Sequence, residues 1–352
     1  MSVNEDLADR ALAHAIDLQR LSAGERRSLL SFLEELQDEI SALLVGYKPG
    51  ARSETQRRRL TELLAIITET ITASYSAMAK QHIAHLTELA EIEALATVKA
   101  LTASLPVKLA LVTPTGNQLK SIMADLVIEG APVSVHWTRL AGDMAARAHD
   151  EIRKGLIAGE TGPDLVKRIV GSKTTPALID APKRHVTSLV KTSTAAVGNT
   201  ARMETYQQNS DVVKGVQQLS TLDGRTSAVC IAYSGKSWQL DGKPIGHNLP
   251  MNGGCPRHYN CRSVLIGIVR SWKELGIDLE EAPPGTRASL DGQVPSSLTF
   301  DQWLAKKDRK FLDQLLGPGR ADLYARGKIT ASDLVDQTGR PMSLETLRAK
   351  YR

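Results

Sequence analysis

Residues 51–105 read ARSETQRRRLTELLAIITETITASYSAMAKQHIAHLTELAEIEALATVKALTASL, a run with neither glycine nor proline. Within it Leu60, Leu64, Ile67, Ile71 and Met78 recur at three- and four-residue spacing, the period of one helix face. Ser53 stands where an N-cap belongs. A single helix of about 50 residues is roughly 75 Å long at 1.5 Å per residue. One compact core has no need of such a rod; long rods bridge, span or assemble. His82 and His85, one turn apart on it, have metal-compatible spacing, but a solvated helix face is the simpler reading.

Upstream, residues 5–21 have helical composition with Leu7, Leu12 and Ile16 on one side. Ser22-Ala23-Gly24-Glu25 then matches a capping box, so a second helix is expected from Ser22 to about Val45. Lys48-Pro49-Gly50 is a breaker before the long run. Downstream of Pro106, helices are expected over 116–129 and 133–158. A short one should be opened by Thr161-Gly162-Pro163, with proline at an early helical position. KTTPALIDAPK (173–183) has the composition of a linker, and 184–209 is helical again.

The texture changes after residue 210. VVKGVQQLST (212–221), GKSWQL (235–240) and RSVLIGIV (262–269) are short and rich in β-branched and aromatic residues. Asp223-Gly224, Asp241-Gly242 and Asn252-Gly253-Gly254 separate them as turns. EEAPPGTRASLDGQVPSS (280–297) is a second linker, and two or three short helices close the chain. The fold class is therefore mainly α with a small α+β insert. Four segments follow along the chain: a long-helix region for assembly contacts at 1–105, a helical middle at 106–209, a small β-containing Cys/His knot at 210–283, and a basic helical segment at 284–352.

Composition agrees. Only Phe32, Tyr47, Tyr75 and Trp137 are aromatic in residues 1–200, against ten aromatics in 201–352, so Ala- and Leu-rich helical layers precede a tighter core. The formal charge is +5, with 12 Lys/Arg against 8 Asp/Glu in residues 285–352. Such an excess reads first as a solvated face. Its functional alternative is phosphate contact through Lys306, Lys307, Arg309 and Lys310, with counterion release as the driving force. MSVNEDLADR has no basic n-region and no apolar core, so no signal peptide is expected. No apolar run approaches the roughly 20 residues of a membrane span. Three cysteines make an odd number, which argues against a secreted disulfide framework and for a reducing cytoplasm.

The residues with most chemical content are GGCPRHYNCRS (253–263). Cys255-x2-His258-x2-Cys261 offers three soft ligands, and Cys230 lies upstream across a hairpin. Zinc favours four tetrahedral N/S ligands, so Cys230, Cys255, His258 and Cys261 form a candidate structural zinc set, with His247 as a substitute. A small sheet with long loops has little core, and a metal staple is physically useful there. Two other readings stand beside it. The thiols can be reduced packing residues with a hydrogen-bonded histidine. Cys261 with His258, or Cys230 with His247, can be a nucleophile–base pair, although no oxyanion hole or protease signature accompanies either. CIAYSGKS (230–237) falls one residue short of a phosphate-binding loop, because Cys230 occupies the first glycine position.

Taken in order, LDGRTSAVC (222–230), SGKSW (234–238) and HYNCRSVL (258–265) resemble the head-morphogenesis domain of MuF-like phage minor head proteins. KTSTAAVGNTARMETY (191–206) is similar to the helix that precedes those motifs, and FDQWL (300–304), LGPGR (316–320), GKIT (327–330) and SLETL (343–347) to the segment after them. Departures are Ser227 where many members have the first cysteine of a C-x2-C, Ser193 for Glu and Lys191 for Arg. The resemblance spans roughly residues 115–352. It implies a virion protein present in few copies, assembled in the host cytoplasm and acting inside the head at the portal vertex. Its implied partners are the portal oligomer, scaffold or major capsid protein, and packaged double-stranded DNA, with no membrane. Some relatives carry C-terminal toxin domains, and none is expected here. Asp223, Arg225, Thr226 and Arg262 are expected to tie loops together through charge-assisted hydrogen bonds. The resulting reading is assembly by binding rather than by catalysis. Its rivals are a DNA-binding protein using the basic C-terminal segment and a Cys/His- or metal-dependent hydrolase centred on 230–261.

Overall fold

The computed structural model describes residues 3–48, 53–278, 286–295 and 298–351. In chain order its elements begin with α1 (Val3–Val45), α2 (Glu54–Ser104), α3 (Gly116–Ala124), the hairpin β1 (Val127–Ile128) and β2 (Ala131–Pro132), α4 (Val133–Ile157), α5 (Gly162–Val170) and α6 (Asp180–Gln208). They continue with β3 (Val213–Leu219), α7 (Ala228–Tyr233), β4 (Ser237–Gln239), β5 (Pro244–Ile245), β6 (Val264–Val269), β7 (Thr286–Ser289) and β8 (Gly292–Pro295). α8 (Phe300–Leu304), α9 (Arg309–Leu316), α10 (Pro318–Ala325), a 3-10 turn (Ala331–Leu334) and α11 (Leu344–Lys350) complete them. The protein is 62% helical with a small antiparallel sheet, the class expected from its periodicity. Packing groups the chain into two units: residues 19–88 with 124–194, and residues 1–18, 89–123 and 195–352.

The first of these units is helical apart from the β1–β2 hairpin. Leu29, Leu33, Leu36, Ile40 and Leu44 of α1, and Leu64, Ile67, Ile71, Tyr75 and Met78 of α2, are all buried at helical spacing. α2 is one unbroken helix over 51 residues, and Ser53 accepts the Gln56 N–H at its start (3.2 Å), as expected. Trp137, Met144, Ala148 and Ile152 of α4 and Val186, Leu189 and Val190 of α6 complete the apolar interior. Fully burying each Leu or Ile contributes about 1.5–3 kcal/mol, before chain entropy is set against it. Gly162 opens α5 where its N–H donates to the Tyr47 carbonyl (3.2 Å). A Cβ there would lie 2.4 Å from the Leu44 carbonyl oxygen, so only glycine permits this approach.

Three local expectations are corrected. Ser22 does not start a helix: α1 runs through it, and its hydroxyl bonds back to the Gln19 carbonyl (2.9 Å). The capping-box partner Glu25 instead faces His82, 2.5 Å from Nδ1, and His82 Nε2 lies 2.7 Å from Ser193 Oγ. His82 is thus wholly buried rather than on a solvated face, while His85, 3.3 Å from the same carboxylate, stays exposed. Tertiary packing of Leu18, Leu29 and their neighbours outweighs the local cap. Thirdly, α3 stops at Ala124, because Glu129 and Gly130 adopt φ of 48° and 80° and turn the β-branched Val127-Ile128 pair into a hairpin. The Lys48-Pro49-Gly50 breaker lies partly outside the described residues.

The second unit holds a four-stranded antiparallel sheet of order β5-β4-β3-β6, with β3 central. The stretches 212–221, 235–240 and 262–269 supply β3, β4 and β6. In α6, Asn199 stitches the helix to the sheet, its Oδ1 accepting the Leu265 N–H (2.8 Å). Asn209 holds residue 112 by both backbone groups, at 2.7 and 2.8 Å. Tyr206, Val213, Val216, Tyr233, Trp238 and Leu265 share one core with Phe300, Trp303, Leu312 and Leu347 of the closing helices. A charged group also lies inside: Arg202 donates to Glu93 (2.9 Å), whose other oxygen meets His14. The 280–297 stretch, read as a linker, contains the β7–β8 hairpin; residues 279–285 and 296–297 lie outside the described residues.

Candidate functional site

The site is built from one short helix and one loop. Ser227 caps α7 by accepting the Cys230 N–H (3.3 Å), which fixes Cys230 in the first turn. No sequence reading anticipated α7; its signal was the Thr226-Ser227 pair ahead of an apolar run. From the other side, residues 252–261 coil tightly, with Asn252, Gly253, Gly254 and Asn260 at φ of 49°, 74°, 82° and 60°. Gly254 needs that freedom and also that space, since a Cβ would meet Leu265 at 2.8 Å. The Cys255–Pro256 peptide is cis.

These two pieces bring Cys230, His258 and Cys261 together, with their ligand atoms all within 4.8 Å of one another. Cys230 Sγ lies 3.2 Å from His258 Nε2 and 3.5 Å from Cys261 Sγ. His258 Nδ1 donates to the Tyr259 carbonyl (2.8 Å), so its lone pair sits on Nε2, facing the thiols. Ser227 Oγ is 2.8 Å from the same Nε2. Cys255, the fourth candidate, is buried but lies outside that group of three. All three cysteines are free. The Cys230 and Cys255 thiols pull the Cys261 pKa down, while Cys261 and burial push theirs up. His247 is absent from the cluster. Its Nε2 donates to the Ser237 carbonyl (2.8 Å) and its Nδ1 accepts the Leu249 N–H (3.1 Å), which commits it to the β4–β5 hairpin.

Two arginines flank the thiols. Arg262 grips Asp223 in a bidentate pair, and Asp223 Oδ1 also accepts the Arg225 N–H (2.9 Å) and the Thr226 hydroxyl (3.2 Å). Asp223, Thr226 and Arg262 therefore tie these loops together. The Arg225 side chain does not join tightly; it is 85% exposed and reaches Asp223 only at 4.0 Å. Arg257, which sequence reasoning missed, lies flat on Tyr233 with Cζ 3.4 Å from the ring centroid. Its Nε donates to Gln218 (2.6 Å) and one terminal nitrogen to the Met251 carbonyl (3.1 Å), while the other is buried without a partner. The cleft that reaches Cys230 and His258 has a volume of about 20 Å³, room for about one water.

The basic C-terminal residues divide into two pairs. Lys307 pairs with Asp291 and sits 4.5 Å from the Trp303 centroid, and Arg309 pairs with Asp313 (2.8 Å) and approaches Asp322 (3.7 Å). Lys306 and Lys310 are exposed. CIAYSGKS forms α7, a turn and then β4, the reverse of the strand-then-helix order that a phosphate-binding loop requires.

Residues 146–266 match the family model of phage Mu protein F like proteins. The matched stretch runs from the second half of α4 into β6 and contains all four Cys/His positions. No curated protein and no solved structure matches the chain. Over that stretch the chain is similar to phage Mu protein F like proteins.

Proposed function

We propose that this MuF-like protein is a minor head component that acts at the portal vertex inside the procapsid and virion, by binding rather than by catalysis. The observation that carries this reading is the family match over 146–266, which coincides with the knot of α7, the 252–262 loop and the Asp223–Arg262 pair. A cleft of about 20 Å³ at the Cys/His cluster is too small for an organic substrate, which favours a structural role over hydrolysis. The partners are the portal oligomer and, during assembly, scaffold or major capsid protein. The long α1 and α2 helices offer surface for them: Ile16 and Leu21 on α1, and Ile66, Ile92 and Leu95 on α2, are large aliphatic residues about half exposed.

Pull-down of tagged protein from infected cells, with fractionation of procapsids and mature particles, tests the reading. The expected result is a few copies per particle in both fractions, co-purifying with portal. Recovery only in soluble host complexes, with none in procapsids or virions, overturns it.

A further inference from the structure

We infer that Cys230, Cys255, His258 and Cys261 bind one zinc ion as a closed Cys3His centre, with Arg257 as its charge-balancing cation. This inference stands on the geometry of the site and does not depend on a role at the portal vertex.

Spacing is the first support. Tetrahedral zinc with Zn–S near 2.3 Å and Zn–N near 2.0–2.1 Å separates its ligand atoms by about 3.8 Å for S···S and about 3.6 Å for S···N. Cys230 Sγ lies 3.5 Å from Cys261 Sγ and 3.2 Å from His258 Nε2. These edges are a few tenths of an ångström short of that tetrahedron, a small outward movement. Packing alone has no reason to turn two thiols and an imidazole lone pair toward one point.

Histidine orientation is the second. Nδ1 is held by the Tyr259 carbonyl, the outer partner that metal-ligating histidines ordinarily have. That bond leaves Nε2 as the nitrogen able to ligate, and it faces Cys230 Sγ at 3.2 Å and Ser227 Oγ at 2.8 Å.

Charge is the third. Three thiolates, one neutral imidazole and Zn²⁺ sum to one negative charge. Arg257 follows two residues after Cys255, its backbone N–H serves Cys261, and one of its guanidinium nitrogens is buried without a partner. An arginine pressed onto Tyr233 in this way suits a buried anionic centre far better than a set of neutral thiols. Arg262, on the other flank, is already paired with Asp223, which leaves Arg257 as the balancing cation.

Cys255 lies outside the three residues whose ligand atoms are within 4.8 Å of one another, and it is assigned the fourth position because it is buried and enters from a separate turn of the same loop. Ser227 lies beside His258 Nε2 but also caps α7, and a neutral hydroxyl is a poor zinc ligand beside a thiolate. The centre would join α7 to both turns of the 252–262 loop, a staple for a region in which short strands and turns supply little core.

The test uses the full-length protein purified under reducing conditions without chelator. Elemental analysis should give one zinc per chain. Cobalt exchanged into the site should show the thiolate-to-cobalt charge transfer and tetrahedral visible bands of three thiolates and one imidazole. Cys255→Ser should reduce the thiolate count to two and weaken zinc binding by more than about 100-fold, whereas Ser227→Ala should leave three thiolates in place. A folded wild-type protein that stays metal-free after incubation with zinc overturns the inference, as does one in which Cys230 and Cys261 are isolated as a disulfide under those conditions. A two-thiolate spectrum in wild type, unchanged by Cys255→Ser, overturns the Cys3His assignment. Each of these readings is made on protein whether or not it assembles into heads.

Discussion

Arg262 and Asp223 meet through both of their forks, one guanidinium nitrogen 2.6 Å from Oδ2 and the other 2.7 Å from Oδ1. The pair closes the loop before α7 onto the residue that follows Cys261, so it frames the thiol cluster from outside. Arg262 first of all, helped by the Arg225 N–H and Thr226, holds the Asp223 carboxyl down at about 2, from an ordinary 3.8.

A pH dependence follows. The folded pKa lies below the unfolded one, so the unfolded chain binds the extra proton and the pair's contribution is full above about pH 4. It is lost as pH falls from about 4 to about 2. After allowance for solvent screening, the contribution is about 1–2 kcal/mol. Urea unfolding of wild type and Asp223→Asn at pH 7 and pH 3 should show a difference at pH 7 that shrinks at pH 3. An unchanged difference would deny the pair this role. Arg262→Lys should lose part of the stability too, since an ammonium cannot reproduce the fork.

Glu93 has no exposed side-chain surface, and the Arg202 side chain is only 4% exposed. Removing one member leaves the other charged and buried, so Glu93→Gln should destabilise by about 3–5 kcal/mol. The double variant Glu93→Gln/Arg202→Met should recover a substantial part of that loss. Chemical denaturation reads both. If the double variant is as unstable as the sum of its singles, Arg202 and Glu93 are not coupled as drawn.

Ser22 and Glu25 separate what the sequence shows from what only packing shows. The S-x-x-E pattern is a sound local signal for a helix start, yet α1 passes through it, and Glu25 serves buried His82 instead. Ser22→Ala should therefore change stability by no more than about 0.5 kcal/mol, against about 1 for a lost cap. Glu25→Ala leaves a buried imidazole nitrogen without its partner and should cost about 1–3 kcal/mol. Thermal melts of the two variants decide between these roles.

Legibility followed the range of the forces. The 3.6-residue period of Leu64, Ile67, Ile71 and Met78, and the β-branched runs at 213–219 and 264–269, are local, and both produced the elements they signal. The four Cys/His positions could be picked out because soft ligands in a chain with three cysteines are rare enough to notice. What could not be read were contacts between residues far apart in sequence. His82 looked solvated because its partners Glu25 and Ser193 lie 57 and 111 positions away. Arg257 passed unnoticed because its meaning depends on Tyr233 lying beneath it. His247 was a candidate ligand until the β4–β5 hairpin claimed both of its nitrogens.

The basic segment near the C-terminus makes the last case, because its four cations are not equivalent. Lys307 is held by Asp291 and lies over Trp303 and Phe311, with Nζ 4.5 and 5.3 Å from the ring centroids. Lys307→Ala should reduce stability by about 1 kcal/mol through the lost cation–π contact and ion pair. Lys306 and Lys310 are exposed, so alanine at both should leave stability unchanged within about 0.5 kcal/mol. Contact with packaged duplex, if this segment makes it, belongs to those two. Each then contributes about 0.9 to the slope of log affinity against log salt, and the double variant should flatten that slope by about two while Lys307→Ala barely alters it. A slope that depends on Lys307 and ignores Lys306 and Lys310 would show that the ion pair opens to meet DNA, contrary to the structural role assigned to it.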